Sequence, residues 1–298
     1  MNKKVEIALT GLFSTKECLW FLNRGFDDCI YRVYPDKVRR AFKLESETML
    51  VDIYLKPGKL LVEWLNGEPS EQALSFMLNF ITDWFDLDTD LEAFYNAIAK
   101  DQQLAYMPDA FRGLRFIGMP DLFEALCWGI IGQQINLKFA YTIKRKLVEK
   151  YGEYIDHEDE RYYVFPTPAQ LAGADINELK QLQLSTKKAE YLITIATAFA
   201  NGTLSKQVLF ELPDFDSRVK FLTGIRGIGV WTASYALMKS LKERSSIPYG
   251  DAGLVNALIG HGIITNKTDK QAISDFFKKF PGWESYIVFY LWRSLAVQ

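Results

Sequence analysis

The apolar residues of this chain change period near residue 65, and that change limits the folds open to it. Met49, Val51, Ile53 and Leu55 alternate with Leu50, Asp52, Tyr54 and Lys56, the period of two that turns one side of a strand towards a core. Pro57-Gly58 follows. Proline presets its own φ and glycine accepts a positive one, so residues 60–64 are expected to return as the partner strand. From Ser70 the spacing becomes three and four, through Ala73, Phe76, Met77, Phe80, Ile81 and Trp84, which is one apolar stripe on a helix. The first 65 residues therefore read mainly as strands, and everything after about residue 91 as helices. Stops fall at Pro108, Gly118-Met119-Pro120, 166–168, Pro213, Pro248 and Pro281. Asp121 and Glu124 suit a capping box, and the acidic, aromatic stretch 153–164 reads as a surface loop or a small hairpin. The fold class is α+β: an N-terminal antiparallel sheet domain over 1–98, then a helical region over 99–298.

Composition removes several classes of function. With 49% apolar and 24% charged residues the chain can build an ordinary core. No apolar run approaches the roughly 20 residues that cross a bilayer, and residues 1–6 are polar and unlike a signal peptide, so a soluble, cytoplasmic protein with no membrane partner is expected. Three cysteines (Cys18, Cys29, Cys127) at irregular spacing suggest neither disulfides nor an iron-sulfur or zinc site. Two histidines, His157 and His261, are too few and too far apart for a His-based metal site. The net charge of -2 argues against a nonspecific nucleic-acid coat. Between residues 180 and 250, however, ten Lys and Arg stand against five Asp and Glu, a local excess around the segment considered next.

That segment is Phe221-Leu222-Thr223-Gly224-Ile225-Arg226-Gly227-Ile228-Gly229-Val230-Trp231-Thr232-Ala233. Three glycines in six positions, between stretches of helical spacing, suit a sharp helix-turn-helix connection. The turn can present free amides at the start of the second helix, where an anion such as a DNA phosphate is favoured. A glycine-rich connection with no ligand fits the spacing equally well. About 20 residues on, Ile247-Pro248-Tyr249-Gly250-Asp251-Ala252-Gly253-Leu254 sets a carboxylate at the start of another helix. Asp251 is there either a helix N-cap or a functional acid.

Taken together, these segments resemble the helix-hairpin-helix DNA glycosylase superfamily, in its 3-methyladenine DNA glycosylase II branch. Further similar stretches are Phe85-Asp86-Leu87-Asp88-Thr89-Asp90, Gly113-Leu114-Arg115, Phe123-Glu124 through Ile131-Gly132-Gln133-Gln134, Phe165-Pro166-Thr167-Pro168, Trp231-Thr232-Ala233 and residues 281–286. The likeness runs in order over residues 85–298. It implies an N-terminal sheet domain resembling half of a TATA-binding protein, then two helical domains, 121–243 with the hairpin and 99–120 plus 244–298, with the active cleft between them. It also implies a monovalent cation, Na+ or K+, on the main-chain carbonyls of Thr223, Ile225 and Ile228, and no cofactor for catalysis.

By the same resemblance, Asp251 is the catalytic carboxylate, and Trp231, Tyr235 and Trp283 form the base pocket. Gln134, with Gln133 beside it, is the wedge that fills the space of an extruded base, and Gly224, Arg226, Gly227, Gly229 and Thr232 meet the DNA backbone. Members that also cut the strand carry a lysine where Trp231 stands, because a Schiff base needs an amine. The hairpin proline of the family is here Arg226. The expected protein is a monomeric, monofunctional glycosylase acting on alkylated purines in double-stranded DNA and leaving an abasic site, nucleoid-associated if bacterial. Two alternatives remain: a glycosylase for oxidised or deaminated purines, and a noncatalytic helix-hairpin-helix DNA-binding protein.

Overall fold

The structure, a computed structural model, describes residues 4–45 and 47–296. The first half of the polar N-terminal stretch 1–6 and the last two residues of the segment 244–298 lie outside the described residues. Strands β1 (Lys4–Ala8), β2 (Tyr31–Val33), β3 (Lys37–Leu44), β4 (Glu47–Lys56) and β5 (Lys59–Trp64) form one antiparallel sheet in the order β1-β5-β4-β3-β2. The Pro57-Gly58 turn, with Gly58 at φ 74°, sets the β4–β5 register at Leu55 to Leu60, Ile53 to Val62 and Val51 to Trp64. These residues bury one sheet face against Ala73, Met77, Ile81 and Trp84 of α2 (Glu71–Trp84).

Two departures from the sequence reading concern this sheet. A helix, α1 (Thr15–Leu22), interrupts the strands. The Ser14 hydroxyl caps it by accepting from Glu17 N, and Cys18, Leu19, Phe21 and Leu22 bury one side of it. Its Thr, Cys, Trp and Phe residues carry strand propensity, which the cap and tertiary burial override. The second departure is that β4 is covered on both faces. Stretch 153–164 folds as the hairpin β6 (Tyr154–His157) and β7 (Glu160–Tyr163), and Tyr162 packs with Ala41 and Leu50 on the sheet's other side. Asp52 is enclosed there. Burial opposes its ionisation, but hydrogen bonds from Arg39 (2.8 and 3.0 Å) and Lys37 (2.6 Å) outweigh it and hold the carboxyl below its ordinary range.

The helices after α2 are α3 (Leu91–Ile98), α4 (Met107–Ala110), α5 (Leu122–Ile131), α6 (Leu137–Tyr151), α7 (Pro168–Ala172), α8 (Ile176–Gln181), α9 (Thr186–Ala200), α10 (Lys206–Phe210), α11 (Phe215–Thr223), α12 (Val230–Leu241), α13 (Ala252–Gly260), α14 (Lys270–Phe277) and α15 (Glu284–Ser294). Pro108 does not stop a helix but sits in the first turn of α4, where a missing N–H costs nothing. Asp121 caps α5 by accepting from Phe123 N and Glu124 N, yet the reciprocal half of the capping box is missing because Glu124 turns to cationic partners instead. One core gathers α5, α6, α9 and the first turns of α12. The segments 99–120 and 244–298 share the other core with the sheet. Burial pushes the Cys18 and Cys29 thiols up to about 12 and raises that of Cys127, so none is a thiolate at neutral pH.

A buried cluster of charges joins the sheet domain to the helical core. Lys144 Nζ on α6 donates to both oxygens of Asp28 and to Glu124 Oε1, each at 2.9 Å, and Arg40 Nη2 on β3 reaches Glu124 Oε2 at 3.3 Å. Burial disfavours charge on Lys144 and Glu124 alike, but the attraction of Asp28 and then Glu124 for Lys144, and of Lys144 and then Arg40 for Glu124, prevails. It lifts the amine above and holds the carboxyl below its ordinary value. Lys144→Met would strand the buried Asp28 and leave Glu124 with Arg40 alone, and is expected to cost about 3–5 kcal/mol of stability at neutral pH, read from urea unfolding. In the variant these less compensated carboxyls have raised folded-state pKa values, so the folded chain takes up protons first as pH falls. The deficit should then shrink towards about pH 4. A deficit unchanged between pH 7 and 4 would contradict this account.

Candidate active site and nucleic-acid interface

A cleft of about 800 Å³ opens between the end of α1, the α5–α6 loop and the α12–α13 segment. Asp251 lies on its wall as the N-cap of α13, following Gly250 at φ 86°. Its Oδ1 accepts from Leu254 N at 2.8 Å and from Trp292 Nε1 at 2.9 Å. Its Oδ2 accepts nothing among the described residues. The two readings of Asp251 thus coexist: one oxygen caps the helix and fixes the carboxylate, and the other stays free. Gly253 leaves room for this, since a Cβ there would come within 3.2 Å of both Asp251 Oδ1 and the Trp292 ring.

Trp231 and Tyr235, one helical turn apart on α12, stack at 5.3 Å, and Trp292 stands 6.3 Å beyond Tyr235. Trp128 and Tyr141, 4.6 Å apart, line the same cleft. The expectation for Trp283 is corrected. It packs against Phe94 at 5.4 Å and beneath the Arg244 guanidinium at 4.8 Å, away from the cleft. Trp292 occupies the cleft instead. Nine residues along α15 is about two and a half turns, so the two tryptophans fall on opposite sides of one helix. Nothing in their sequence spacing marks which of them faces Asp251.

The hairpin glycines divide by what the protein itself requires. Gly227 has φ 100°, and a Cβ there would lie 2.3 Å from Tyr191 Cγ, so the fold demands glycine. Gly229, the N-cap of α12, has φ -86° and nothing within 4 Å of a Cβ. The fold makes no such demand there, and the bare position suits close approach from outside. No side chain caps α12, and its first intrahelical bond, Ala233 N to Gly229 O, leaves the first-turn amides free. Gly224 ends α11 in an ordinary helical conformation. Arg226 projects into solvent, paired with Glu190 at 2.8 Å and with its guanidinium 5.8 Å from the centre of the Tyr191 ring. Thr232 is a correction: its side chain is buried, and its hydroxyl accepts from Gln133, so only its amide is open to a phosphate. Several of the nearby basic residues are engaged internally, including Arg218 on Glu243 and Lys242 on Asp83 and Asp86.

Gln133 and Gln134 behave differently. The Gln133 amide donates to Gly227 O at 3.1 Å and to Thr232 Oγ1 at 3.2 Å, tying the loop to the hairpin rather than presenting a wedge. Gln134, held at φ 56°, is exposed on the rim of the cleft. Lys188, unmarked in the sequence reading, donates to Ile131 O (2.8 Å) and Gln133 O (2.7 Å) and closes the end of α5. Among the described residues no group of three His, Cys, Asp or Glu side chains is placed to hold a metal. In the hairpin, Ile225 O accepts from Ile228 N, whereas among the described residues the carbonyls of Thr223 and Ile228 receive no backbone hydrogen bond. Two free carbonyl oxygens suit a monovalent cation.

Residues 127–281 match the family described as HhH-GPD superfamily base excision DNA repair protein. The chain belongs to that superfamily. Residues 13–126 match the 8-oxoguanine DNA glycosylase N-terminal domain. A DNA-3-methyladenine glycosylase of Bacillus subtilis is 37% identical over 99% of this chain and 98% of its own length. DNA-3-methyladenine glycosylase 2 of Escherichia coli is 32% identical over 60% of each chain. Among solved structures, the 3-methyladenine DNA-glycosylase from Archaeoglobus fulgidus superposes with a TM-score of 0.84 at 22% identity over 97% of both chains. The apo 8-oxoguanine glycosylase/lyase of Clostridium acetobutylicum gives 0.75 at 19%, over 98% of this chain and 96% of that one. These two establish a shared fold.

The contrast between the glycines can be measured. Gly227→Ala should lose at least about 1–3 kcal/mol of stability and with it the hairpin geometry. Gly229→Ala should keep its unfolding free energy within about 0.5 kcal/mol while duplex binding weakens severalfold in fluorescence anisotropy. Equal stability losses in the two variants would show that Gly229 serves the fold and not a ligand.

Proposed function

We propose that this protein is a monofunctional DNA glycosylase that extrudes an alkylated purine, of the 3-methyladenine or 7-methylguanine type, and hydrolyses its N-glycosidic bond to leave an abasic site. The observation that carries this reading is Asp251: a carboxylate fixed by two donors through one oxygen, free at the other, and facing an aromatic-walled cleft large enough for a base. Cleavage of the bond builds positive charge on the sugar, and a pre-positioned anion stabilises that charge without reorganising. The free oxygen can also orient the attacking water. N3- and N7-alkylated purines are cationic, so the electron-rich faces of Trp231, Tyr235 and Trp292 attract them. A base must leave the stack to arrive there, and Gln134 fills the gap that it leaves.

Trp231 stands where strand-cutting relatives carry their amine. Lys239, which also lines the cleft, is two turns further along α12, about 12 Å away by helical rise, and donates to Ile117 O. The nucleophile is therefore water. Double-stranded DNA is the partner, engaged by one chain through the hairpin amides and Arg226. No cofactor enters catalysis, and Na+ or K+ on the carbonyls of Thr223, Ile225 and Ile228 would stiffen the turn. No helix among the described residues is long and apolar enough to cross a membrane. The N-terminal likeness to an 8-oxoguanine glycosylase domain supports a second reading, an oxidised or deaminated purine as substrate.

Incubation with methylated duplex should release methylated bases without strand cleavage, and borohydride should trap no covalent adduct. Asp251→Asn should slow release by at least about a hundredfold at unchanged duplex affinity. Wild-type protein that releases no base from methylated, oxidised or deaminated duplex would sink the enzyme reading. Borohydride trapping would overturn the assignment of water as nucleophile.

A further inference from the structure

Arg24 stands in the cleft with no carboxylate within 4.0 Å among the described residues. It follows α1 in a short turn, and its orientation is set twice: Nε donates to Phe21 O at 2.9 Å, and Cζ lies 3.9 Å over the Phe21 ring. The terminal nitrogens are left to face the cleft, where Trp231, Tyr235 and Asp251 are the other walls. Its charge reaches across that space. Burial raises the hydroxyl pKa values of Tyr141 and Tyr235 and lowers that of the Lys239 amine, and the nearby guanidinium acts on all three. The neighbouring acids do not neutralise it, since both oxygens of Asp28 are taken by Lys144 and Glu124 is shared between Lys144 and Arg40. The Tyr141 hydroxyl takes up part of the guanidinium's hydrogen bonding, and the half-buried side chain leaves its remaining N–H donors to the aromatic cleft with no carboxylate bound to them.

A guanidinium donates and cannot accept. Purines differ at position 6 in the matching way: guanine and hypoxanthine types carry a carbonyl oxygen there, and adenine types carry an amino group. A guanidinium beside a 6-oxo base gains a charge-assisted hydrogen bond, the pairing that arginine makes with guanine O6 in DNA grooves. Beside a 6-amino base it sets donor against donor; its charge opposes every methylated, cationic ring alike, so the hydrogen bond at position 6 is what discriminates. We propose that Arg24 is a specificity-determining residue that reads position 6 of the extruded base and favours 6-oxo over 6-amino purines. The inference rests on the glycosylase reading of the cleft and adds to it which side of the damage range the cleft prefers.

The test is single-turnover release of 7-methylguanine, 3-methyladenine and hypoxanthine from duplex DNA by wild type, Arg24→Met and Arg24→Lys, with unfolding midpoints confirming that each variant is folded. Arg24→Met should lower the ratio of 7-methylguanine to 3-methyladenine release by about tenfold or more, the penalty for a site that has lost a hydrogen bond to its ligand. Hypoxanthine release should fall together with 7-methylguanine. Arg24→Lys, which keeps the charge but not the planar fork, should recover part of the ratio. The proposal is overturned if the released bases slow by one common factor or if the ratio does not move. Methylated-base release with a ratio indifferent to Arg24 would reject this inference and keep the alkylpurine reading. Arg24-dependent release of hypoxanthine, with no methylated base released, would do the reverse.

Discussion

Lys144 is enclosed by two carboxylates that come from different parts of the chain, Asp28 from the connection between α1 and β2 and Glu124 from α5. A buried amine is tolerable only where anions compensate it, and buried carboxylates only where cations do. Each of these groups therefore constrains the other two, and Arg40 on β3 completes the set. An apolar interface of equal area could slide. Charges that must meet within hydrogen-bonding distance hold the sheet domain against the helical core in one arrangement. Arg24, Asp28 and Tyr31, from the same stretch of chain, contribute one wall of the cleft.

The working parts of the site are mostly structural parts with capacity left over. Asp251 is an ordinary N-cap through one oxygen and an available anion through the other. The start of α12 is an ordinary helix terminus whose amides lack an internal partner because residue 229 has no side chain to offer. Gln133 gives its amide hydrogens to the hairpin, so the rim loop and the α11–α12 turn are one mechanical unit, and Lys188 locks that loop from behind by two more carbonyls. Movement of Gln134 would consequently disturb the hairpin, and under the proposed function that couples the hold on the DNA backbone to the filling of the gap left by the base.

Much of this is legible in the amino-acid sequence. The period change near residue 65 is a local property of side-chain alternation, so the β4–β5 hairpin and α2 follow directly from it. The hairpin glycines and Asp251 were legible for a similar reason, because a sharp turn and a helix cap are decided within a few residues. Helix α1 was not, since its residues carry strand propensity and only burial against the sheet decides for helix. Nor was the cover over the second face of β4, which arrives from a hairpin roughly a hundred residues later. Trp283 and Trp292 were indistinguishable as residue types, and the direction in which α15 packs decided between them.

Local sequence is enough to set the α+β order of elements, the glycine turn and the capped start of α13. Each of these depends on residues close together in the chain. It took the packing of the whole chain to settle that Trp292 holds Asp251, that the Thr232 hydroxyl and Gln133 meet each other, and that Arg24 enters the cleft without a carboxylate partner. Those facts depend on which side chains meet across long separations and on which polar groups are left without a partner once the others have paired. Local pattern carries no record of either.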